Sequence, residues 1–157
     1  MTLTDAVKEH SFLAGLPGSQ ADKLLALARE VHFKENELIL TGGEQSKYFY
    51  LLLEGSISIE VSARSYVVSI LARGPGEAFG WSALLDHHDT LFQVRAREDC
   101  RALRIDGDDL AAALKADPLL AVEVYHRALK LAAERVKATE ERLAELCGVR
   151  LTKNPCC

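Results

Sequence analysis

The sequence predicts an α+β domain that is mainly β, in which a sandwich or barrel of short strands lies between an N-terminal helix and a long C-terminal helix. The apolar residues recur at helical spacing before residue 33, in short runs separated by turn residues up to residue 106, and again at helical spacing after it. The 157 residues, 48% of them apolar, suffice to bury one core. We therefore expect a helical segment at 1–32, a β-body at 33–106, helices at 107–146 and a tail at 147–157.

The first helix is expected after the breaker Leu16-Pro17-Gly18, with Ser19 as its cap. Its apolar positions are Leu24, Leu25, Leu27, Ala28 and Val31. Turn residues then bound the predicted strands at 38–40, 48–53, 57–61, 66–71, 92–96 and 101–105. A closed body of such strands either encloses a pocket or fills its interior with side chains.

The C-terminal part is predicted to hold a short helix opened by Asp108-Asp109 and a rod capped by Asp117-Pro118. From Leu119 to Leu146 the rod would be about 42 Å long. One apolar line follows a heptad and predicts a two-stranded coiled coil between two copies, with Arg135 among the charges around it. Its first seam holds Val122, Leu129, Val136 and Leu143, its second Tyr125, Ala132, Thr139 and Leu146, and a separate line expected to face the β-body holds Leu120, Val124, Ala128 and Leu131.

Two segments carry a resemblance to a known family. The string from Tyr48 to Ile59, and the block from Gly76 to Leu85 followed by Val94-Arg95-Ala96, resemble the signature of cyclic-nucleotide-binding domains of the Crp/Fnr type. The resemblance extends from Phe12 to Leu146. It implies an eight-stranded jelly roll, or double-stranded β-helix, with an N-terminal helix and a long C-terminal dimerisation helix.

In that family a glycine opens a short helix that meets a cyclic phosphate, the next residue is a glutamate that holds the ribose, and an arginine about ten residues later neutralises the phosphate. Alignment on Gly76-Glu77 is one option, but the family has a further glycine four residues before the binding one, which makes Gly80 the binding glycine. Trp81 then replaces the glutamate and Thr90 the arginine. The candidate ligand-binding residues are Gly80, Trp81, Ser82, Ala83, Leu84, Thr90 and Leu91.

The strand that follows this block has one apolar face. Thr90, Phe92, Val94 and Ala96 alternate with Gln93, Arg95 and Arg97, so the first set should face the interior and the second the outside. No cation of this strand would then reach the cavity, and we expect a degenerate site that does not bind cyclic AMP or cyclic GMP in the standard way.

Three possibilities for the ligand stay open at this stage. A cyclic nucleotide could bind through nonstandard contacts, or another small molecule could bind, either an anion or nucleotide held by backbone amides, Thr90 and stacking on Trp81, or an apolar compound. Alternatively Trp81 fills the cavity and the domain binds nothing.

A metal-dependent enzyme of the cupin type is the alternative function, because Asp86-His87-His88-Asp89 places two histidines side by side. Adjacent histidines on an extended strand point opposite ways, so a solvated loop is the favoured interpretation. No G-x-S-x-G nucleophile motif is present. We therefore expect neither catalytic nor metal-binding residues, and no certain cofactor.

Charge, targeting signals and cysteines limit the partners and the compartment. The net charge of −4 does not favour nucleic acid, and the 11 residues after Leu146 cannot supply a helix-turn-helix, so no DNA binding is expected. No signal peptide or long apolar window suggests a membrane, so a cytoplasmic protein is expected.

The four cysteines, Cys100, Cys147, Cys156 and Cys157, lack a metal spacing and are expected to be reduced. The predicted function is a regulatory or sensor domain that signals through its dimer helix to a protein partner.

Overall fold

The computed structural model describes residues 7–86 and 88–149. Eight strands form two four-stranded sheets, in the orders β1-β8-β3-β6 and β2-β7-β4-β5, and all described pairings are antiparallel. This arrangement confirms the mainly β jelly roll with a helix before it and a long helix after it. The elements are α1 (Gly18–Leu27), β1 (Ala28–Phe33), β2 (Leu38–Leu40), β3 (Tyr48–Glu54), β4 (Ile57–Ser62), β5 (Val67–Arg73), β6 (Ala78–Phe79), a 3₁₀ helix (Trp81–Leu84), β7 (Phe92–Ala96), β8 (Cys100–Asp106), α2 (Gly107–Ala116) and α3 (Pro118–Leu146).

The N-terminal helix is shorter than its apolar spacing predicts. It ends at Leu27, and Ala28 and Val31, expected on the helix, belong to β1. β1 pairs along its whole length with β8, from Ala28 opposite Ile105 to Phe33 opposite Cys100, and this long-range ladder overrides the local helical period. Ser19 is not the cap, because the helix already begins at Gly18 after Pro17.

The other predicted strands are confirmed to within two residues at either end. β6 was not among them, because two residues are too few to show an alternating pattern. It pairs with β3, with Phe79 opposite Tyr50 and Ala78 opposite Leu51. This pairing fixes the position at which the chain enters Gly80 and the 3₁₀ helix.

The core has two parts. One lies between the helices and the first sheet and includes Phe49, Leu51 and Ile105; the other fills the space between the sheets and includes Leu52, Ile59 and Ala102. Cys100 belongs to the second part as a free thiol, and burial raises its pKa. Cys147 is exposed at the end of α3, whereas Cys156 and Cys157 lie outside the described residues.

The long helix has the two apolar lines that the sequence predicts. Leu120 and Val124 are buried against the body, and Ala121 and Leu131 pack at the edge of the same core. Within the described part of the chain the heptad line stays uncovered, with Val122 66% and Leu129 68% exposed. Arg135, expected among the solvated charges, is instead buried. Within the described part of the chain, no helix is long and apolar enough to cross a membrane.

Candidate ligand cavity

A cavity of about 270 Å³ lies between the inner face of the second sheet, the 3₁₀ helix and the long helix. Strands β3, β4, β6 and β7 supply its aromatic and aliphatic floor, and the segment before β3 supplies polar groups at its mouth. The residues that line it are Ile39, Leu40, Thr41, Glu44, Gln45, Ser46, Lys47, Tyr48, Tyr50, Ile59, Phe79, Gly80, Trp81, Ser82, Thr90, Phe92, Val94 and Arg135.

Gly80 makes the sharp turn that starts the 3₁₀ helix. Its φ is +79°, in the left-handed region that residues with a Cβ avoid. A Cβ at this position would lie 2.5 Å from the carbonyl oxygen of Tyr48, a separation that no side chain tolerates. The predicted role of Gly80 as the glycine that opens the short helix therefore has a direct steric reason.

Ser82 ties the 3₁₀ helix to the segment that precedes β3. Its Oγ accepts a hydrogen bond of 2.9 Å from the backbone N–H of Ser46. Its carbonyl oxygen accepts a bond of 3.1 Å from the side-chain amide of Gln45. These two hydrogen bonds attach the 3₁₀ helix to the polar segment at the mouth of the cavity.

Of the seven predicted ligand-binding residues, the structure places four on the cavity wall, two in the core and one at the surface. Gly80, Trp81, Ser82 and Thr90 line the cavity. Ala83 and Leu84 pack into the core below the helices instead. Leu91 is 72% exposed and is not part of the cavity wall.

Trp81 forms part of the wall and leaves the cavity open. Its ring is half-buried, with its centroid 5.6 Å from that of His88. In this structure Trp81 therefore lines the cavity beside the space that a ligand would need. On the floor, the rings of Tyr50 and Phe79 stack with centroids 4.9 Å apart, and burial raises the pKa of Tyr50.

The prediction for the faces of β7 is confirmed. Thr90, just before the strand, and Phe92 and Val94 line the cavity. On the outer face, the Gln93 amide donates a bond of 2.7 Å to Glu60 on β4, and Arg95 lies 3.5 Å from the same carboxylate. No cation of β7 faces the interior. The residue at the position where the resemblance places the phosphate-binding arginine is the neutral Thr90.

A buried cation nevertheless reaches the cavity, and it comes from α3. The Arg135 side chain is 5% exposed, and its Nη2 donates to Oε1 of Glu77 at 3.0 Å. The second oxygen of Glu77 is 3.7 Å from Arg73, so one carboxylate serves two guanidinium groups. Burial lowers the pKa of Arg135, and the nearby Glu77 opposes that change.

Sequence reasoning assigned Arg135 to the wrong face of the helix, although a signal was present. At 100° per residue, position 135 lies only about 60° around the helix from Leu120. It therefore continues the inner line that Leu120, Val124 and Leu131 define.

The mouth of the cavity carries further charges. The Lys47 ammonium lies 5.4 Å from the centre of the Tyr48 ring, and Glu44 pairs through its backbone with Thr90. His87 of the histidine pair lies outside the described residues, and His88 is exposed. Among residues 7–86 and 88–149, no three His, Cys, Asp or Glu side chains converge as metal ligands.

Comparison with known proteins identifies the family. Residues 30–117 match the family model of the cyclic nucleotide-binding domain. The chain belongs to this family. Its fold resembles that of a cyclic nucleotide-binding domain from Methylobacillus flagellatus, with a TM-score of 0.77, 17% identity, and coverage of 96% of this chain and 86% of that one.

Among curated proteins, the chain is similar to human patatin-like phospholipase domain-containing protein 6. The two are 27% identical over 97 residues, which are 60% of this chain but 7% of the relative. The similarity therefore concerns a small part of a much longer protein.

Regulatory subunits of cAMP-independent protein kinase A from trypanosomes share the fold. The Trypanosoma cruzi protein was solved bound to guanosine; its TM-score is 0.65 at 19% identity, with coverage of 83% of this chain and 49% of that one. A Trypanosoma brucei mutant was solved with cAMP in its A site, at a TM-score of 0.63, 19% identity, and coverage of 83% and 50%. That mutant replaces a glutamate with alanine, a threonine with arginine and the valine after that threonine with alanine.

Proposed function

We propose that this chain is a non-enzymatic regulatory domain whose cavity binds an uncharged nucleoside rather than a cyclic nucleotide. Ligand binding then changes the position of the long helix, and a protein partner responds to that change. The observation that carries the proposal is Thr90, a neutral residue in the wall of the cavity at the position where the family resemblance places the phosphate-binding arginine.

A cyclic phosphate in this cavity would lack a dedicated counter-charge. The buried cation in the wall, Arg135, donates to Glu77, a carboxylate that it shares with Arg73, and Lys47 is exposed at the mouth, so neither cation stands at position 90. Burying a phosphate without a paired cation is costly, because the charge loses its hydration. The Thr90 hydroxyl can instead donate to, and accept from, a neutral sugar hydroxyl.

The shape and lining of the cavity suit a base and a sugar. Trp81, Tyr48 and Tyr50 offer aromatic surface, and Ser46, Ser82 and Thr90 are polar residues. The similarity to a regulatory subunit solved with guanosine supports this ligand class. So does the trypanosomal mutant that contains cAMP, because one of its substitutions turns a threonine into an arginine.

The long helix is the proposed output of the domain. Its inner face reaches the cavity through Arg135, and its outer line, from Val122 to Leu143, is exposed. A coiled coil between two copies would cover that line at heptad spacing. A ligand that binds better to one position of the helix shifts the population toward it, and a partner can read that change.

Calorimetry on the wild-type chain tests the ligand class. Guanosine, inosine, adenosine, cAMP and cGMP are titrated separately. We expect at least one nucleoside to bind in the micromolar range, whereas neither cyclic nucleotide gives heat at about 1 mM, which corresponds to roughly −4 kcal/mol. Micromolar binding of a cyclic nucleotide, or no binding of any nucleoside, would overturn the proposal.

A gain-of-function variant tests the role of Thr90. Thr90→Arg with Leu91→Ala supplies the missing cation, and we expect its affinity for cAMP to rise at least about tenfold, since an arginine fork pairs with phosphate oxygens. Thr90→Gln with Leu91→Ala is the matched control, because it adds length without charge. Equal cAMP affinity in the two variants would show that Thr90 does not determine ligand charge.

A further inference from the structure

Strands β1 and β8 place two arginines directly opposite each other. Arg29 on β1 pairs with Arg104 on β8, so both side chains leave the first sheet on the same face. Like charges directly opposite on neighbouring strands destabilise a sheet. The pairing of the strands therefore gives no reason for two arginines at these positions.

A third cation joins this pair beside an aromatic ring. Arg104 is opposite Tyr50 on β3, and Tyr48, two residues along that strand, lies on the same face. The Arg104 guanidinium is 4.3 Å from the centre of the Tyr48 ring, and the Lys47 ammonium is 5.4 Å from it. The ring offsets part of the positive charge. We call Arg29, Lys47 and Arg104 the basic cluster.

The carboxylates next to the cluster are engaged elsewhere. Glu30 lies on the opposite face of β1 and is 3.7 Å from Arg101. Asp106 accepts hydrogen bonds from two backbone N–H groups in the first turn of α2. Arg29 donates to the backbone carbonyl of Ala28 at 2.9 Å, which leaves its charge unpaired. In the described part of the chain, no carboxylate forms an ion pair with the cluster.

The cluster is open to a partner from outside. Arg29 and Lys47 are exposed and Arg104 is partly exposed. Lys47 lines the mouth of the cavity, but neither arginine belongs to the cavity wall, so the pair is not placed for a bound nucleoside. Because the chain carries a net charge of −4, a long polyanion such as nucleic acid would be repelled beyond the cluster, whereas a short acidic segment would not.

We propose that the basic cluster is the docking site for a short acidic segment of a partner protein, whose carboxylates pair with the two arginines. This inference rests on the proposed function for the existence of a protein partner, and it adds the charge of the surface that the partner presents. Arginine forks bind carboxylates through paired hydrogen bonds. The bound carboxylates would also offset the repulsion between Arg29 and Arg104.

A fluorescein-labelled peptide with a run of glutamates is the probe, and fluorescence anisotropy measures its binding. Wild-type protein is expected to bind it at least about tenfold more tightly than a peptide with a glutamine run of the same length, and less tightly as salt is added. Equal affinity for the two peptides would overturn the inference. A labelled single strand of DNA that binds more tightly than the glutamate peptide would also overturn it, in favour of nucleic acid.

Paired substitutions locate the binding site. Arg29→Gln with Arg104→Gln should weaken binding of the glutamate peptide at least about fivefold, because two pairing charges are lost. Arg64→Gln with Arg97→Gln is the matched control, since it removes the same charge at exposed arginines elsewhere and should change the affinity less than about twofold. Equal losses in the two variants would show that net charge, rather than the cluster, attracts the peptide.

Two measurements on the Arg29→Gln, Arg104→Gln variant separate docking from folding and from the cavity. Its urea midpoint should not fall, because a like-charge pair is removed; a marked fall would assign the arginines a structural role and overturn the inference. Its guanosine affinity should match that of the wild type. In wild-type protein, nucleoside binding without peptide binding would overturn this inference alone, whereas peptide binding without nucleoside binding would overturn the proposed ligand and leave the docking site standing.

Discussion

The two faces of the long helix have similar apolar residues and opposite environments. On the inner face Leu120 is fully buried, whereas on the outer face Leu129 is 68% exposed. The inner face is covered by the N-terminal segment, residues 7–17, and by the body, whereas no part of 7–86 or 88–149 covers the outer one. Hydrophobicity alone thus does not determine burial; the covering element does.

The inner face also changes character along its length. Beside the N-terminal segment it is apolar, and Val124 contacts the same core as Phe12 and Leu13. About three turns further on, beside the cavity, it presents the charged Arg135. The first part packs into the core, and the second lines the cavity.

The largest expected effect is on the outer face. Replacing both Leu129 and Val136 with Asp should convert a dimer entirely to a monomer, because buried carboxylates would face each other across the coiled coil. Sedimentation velocity measures the mass. Lys130→Asp with Lys137→Asp is the matched control, since it adds the same residues at exposed neighbouring positions and should leave the dimer intact.

A dimer that survives the two aspartates would show that the outer face is not the interface. A monomeric wild-type protein would show that no such interface forms. Either result would remove the proposed output surface without affecting the cavity.

The next effect is on the inner face and is measured in the monomeric Leu129→Asp, Val136→Asp background. Leu120→Ala should lower the free energy of unfolding by about 2–5 kcal/mol, because it leaves a cavity in the core. Leu119→Ala is the matched control, as Leu119 is 75% exposed and should cost less than about 1 kcal/mol. Urea denaturation measures both, and equal losses would contradict the division into faces.

Features that depend on local periodicity could be predicted from the sequence. The strands of the body, the long helix with its Asp117 and Pro118 start, and the inner assignment of Leu120 and Val124 all follow from spacing. Gly80 followed from the resemblance, and the structure gives the steric reason.

Features that depend on distant partners could not be predicted. α1 ends early because β1 pairs with β8, more than 65 residues away in the chain. Arg135 can be buried because it forms an ion pair with Glu77, which lies 58 residues earlier in the chain. Nor does spacing show whether Trp81 fills the cavity or lines it, because this depends on its side-chain orientation.

The smallest expected effect concerns His10, which holds the N-terminal segment that covers the inner face. Its Nδ1 accepts from the backbone N–H of Phe12 at 3.1 Å, and its Nε2 lies 3.2 Å from the carbonyl oxygen of Glu77, to which it donates. From α3, Arg127 donates to the carbonyl oxygens of Phe12 and Ala14. Burial lowers the pKa of His10, so the folded protein keeps this imidazole neutral.

The sign of the pH dependence follows from that direction. The unfolded chain binds a proton at His10 near its ordinary pKa of about 6.5, while the folded chain binds it only at lower pH. Stability contributed by neutral His10 is therefore complete above about pH 6.5 and is lost as the pH falls toward the lowered pKa. A protonated Nδ1 can no longer accept the bond from Phe12.

Replacing His10 with Asn removes the titrating group and keeps an acceptor near Phe12. Wild-type protein should therefore lose more free energy of unfolding between pH 7 and pH 5 than His10→Asn does. His126→Asn, at an exposed histidine on α3, is the matched control and should follow the wild-type curve. If the His10→Asn and wild-type curves run parallel, the segment over the inner face is held by its apolar contacts and by Arg127 rather than by the imidazole.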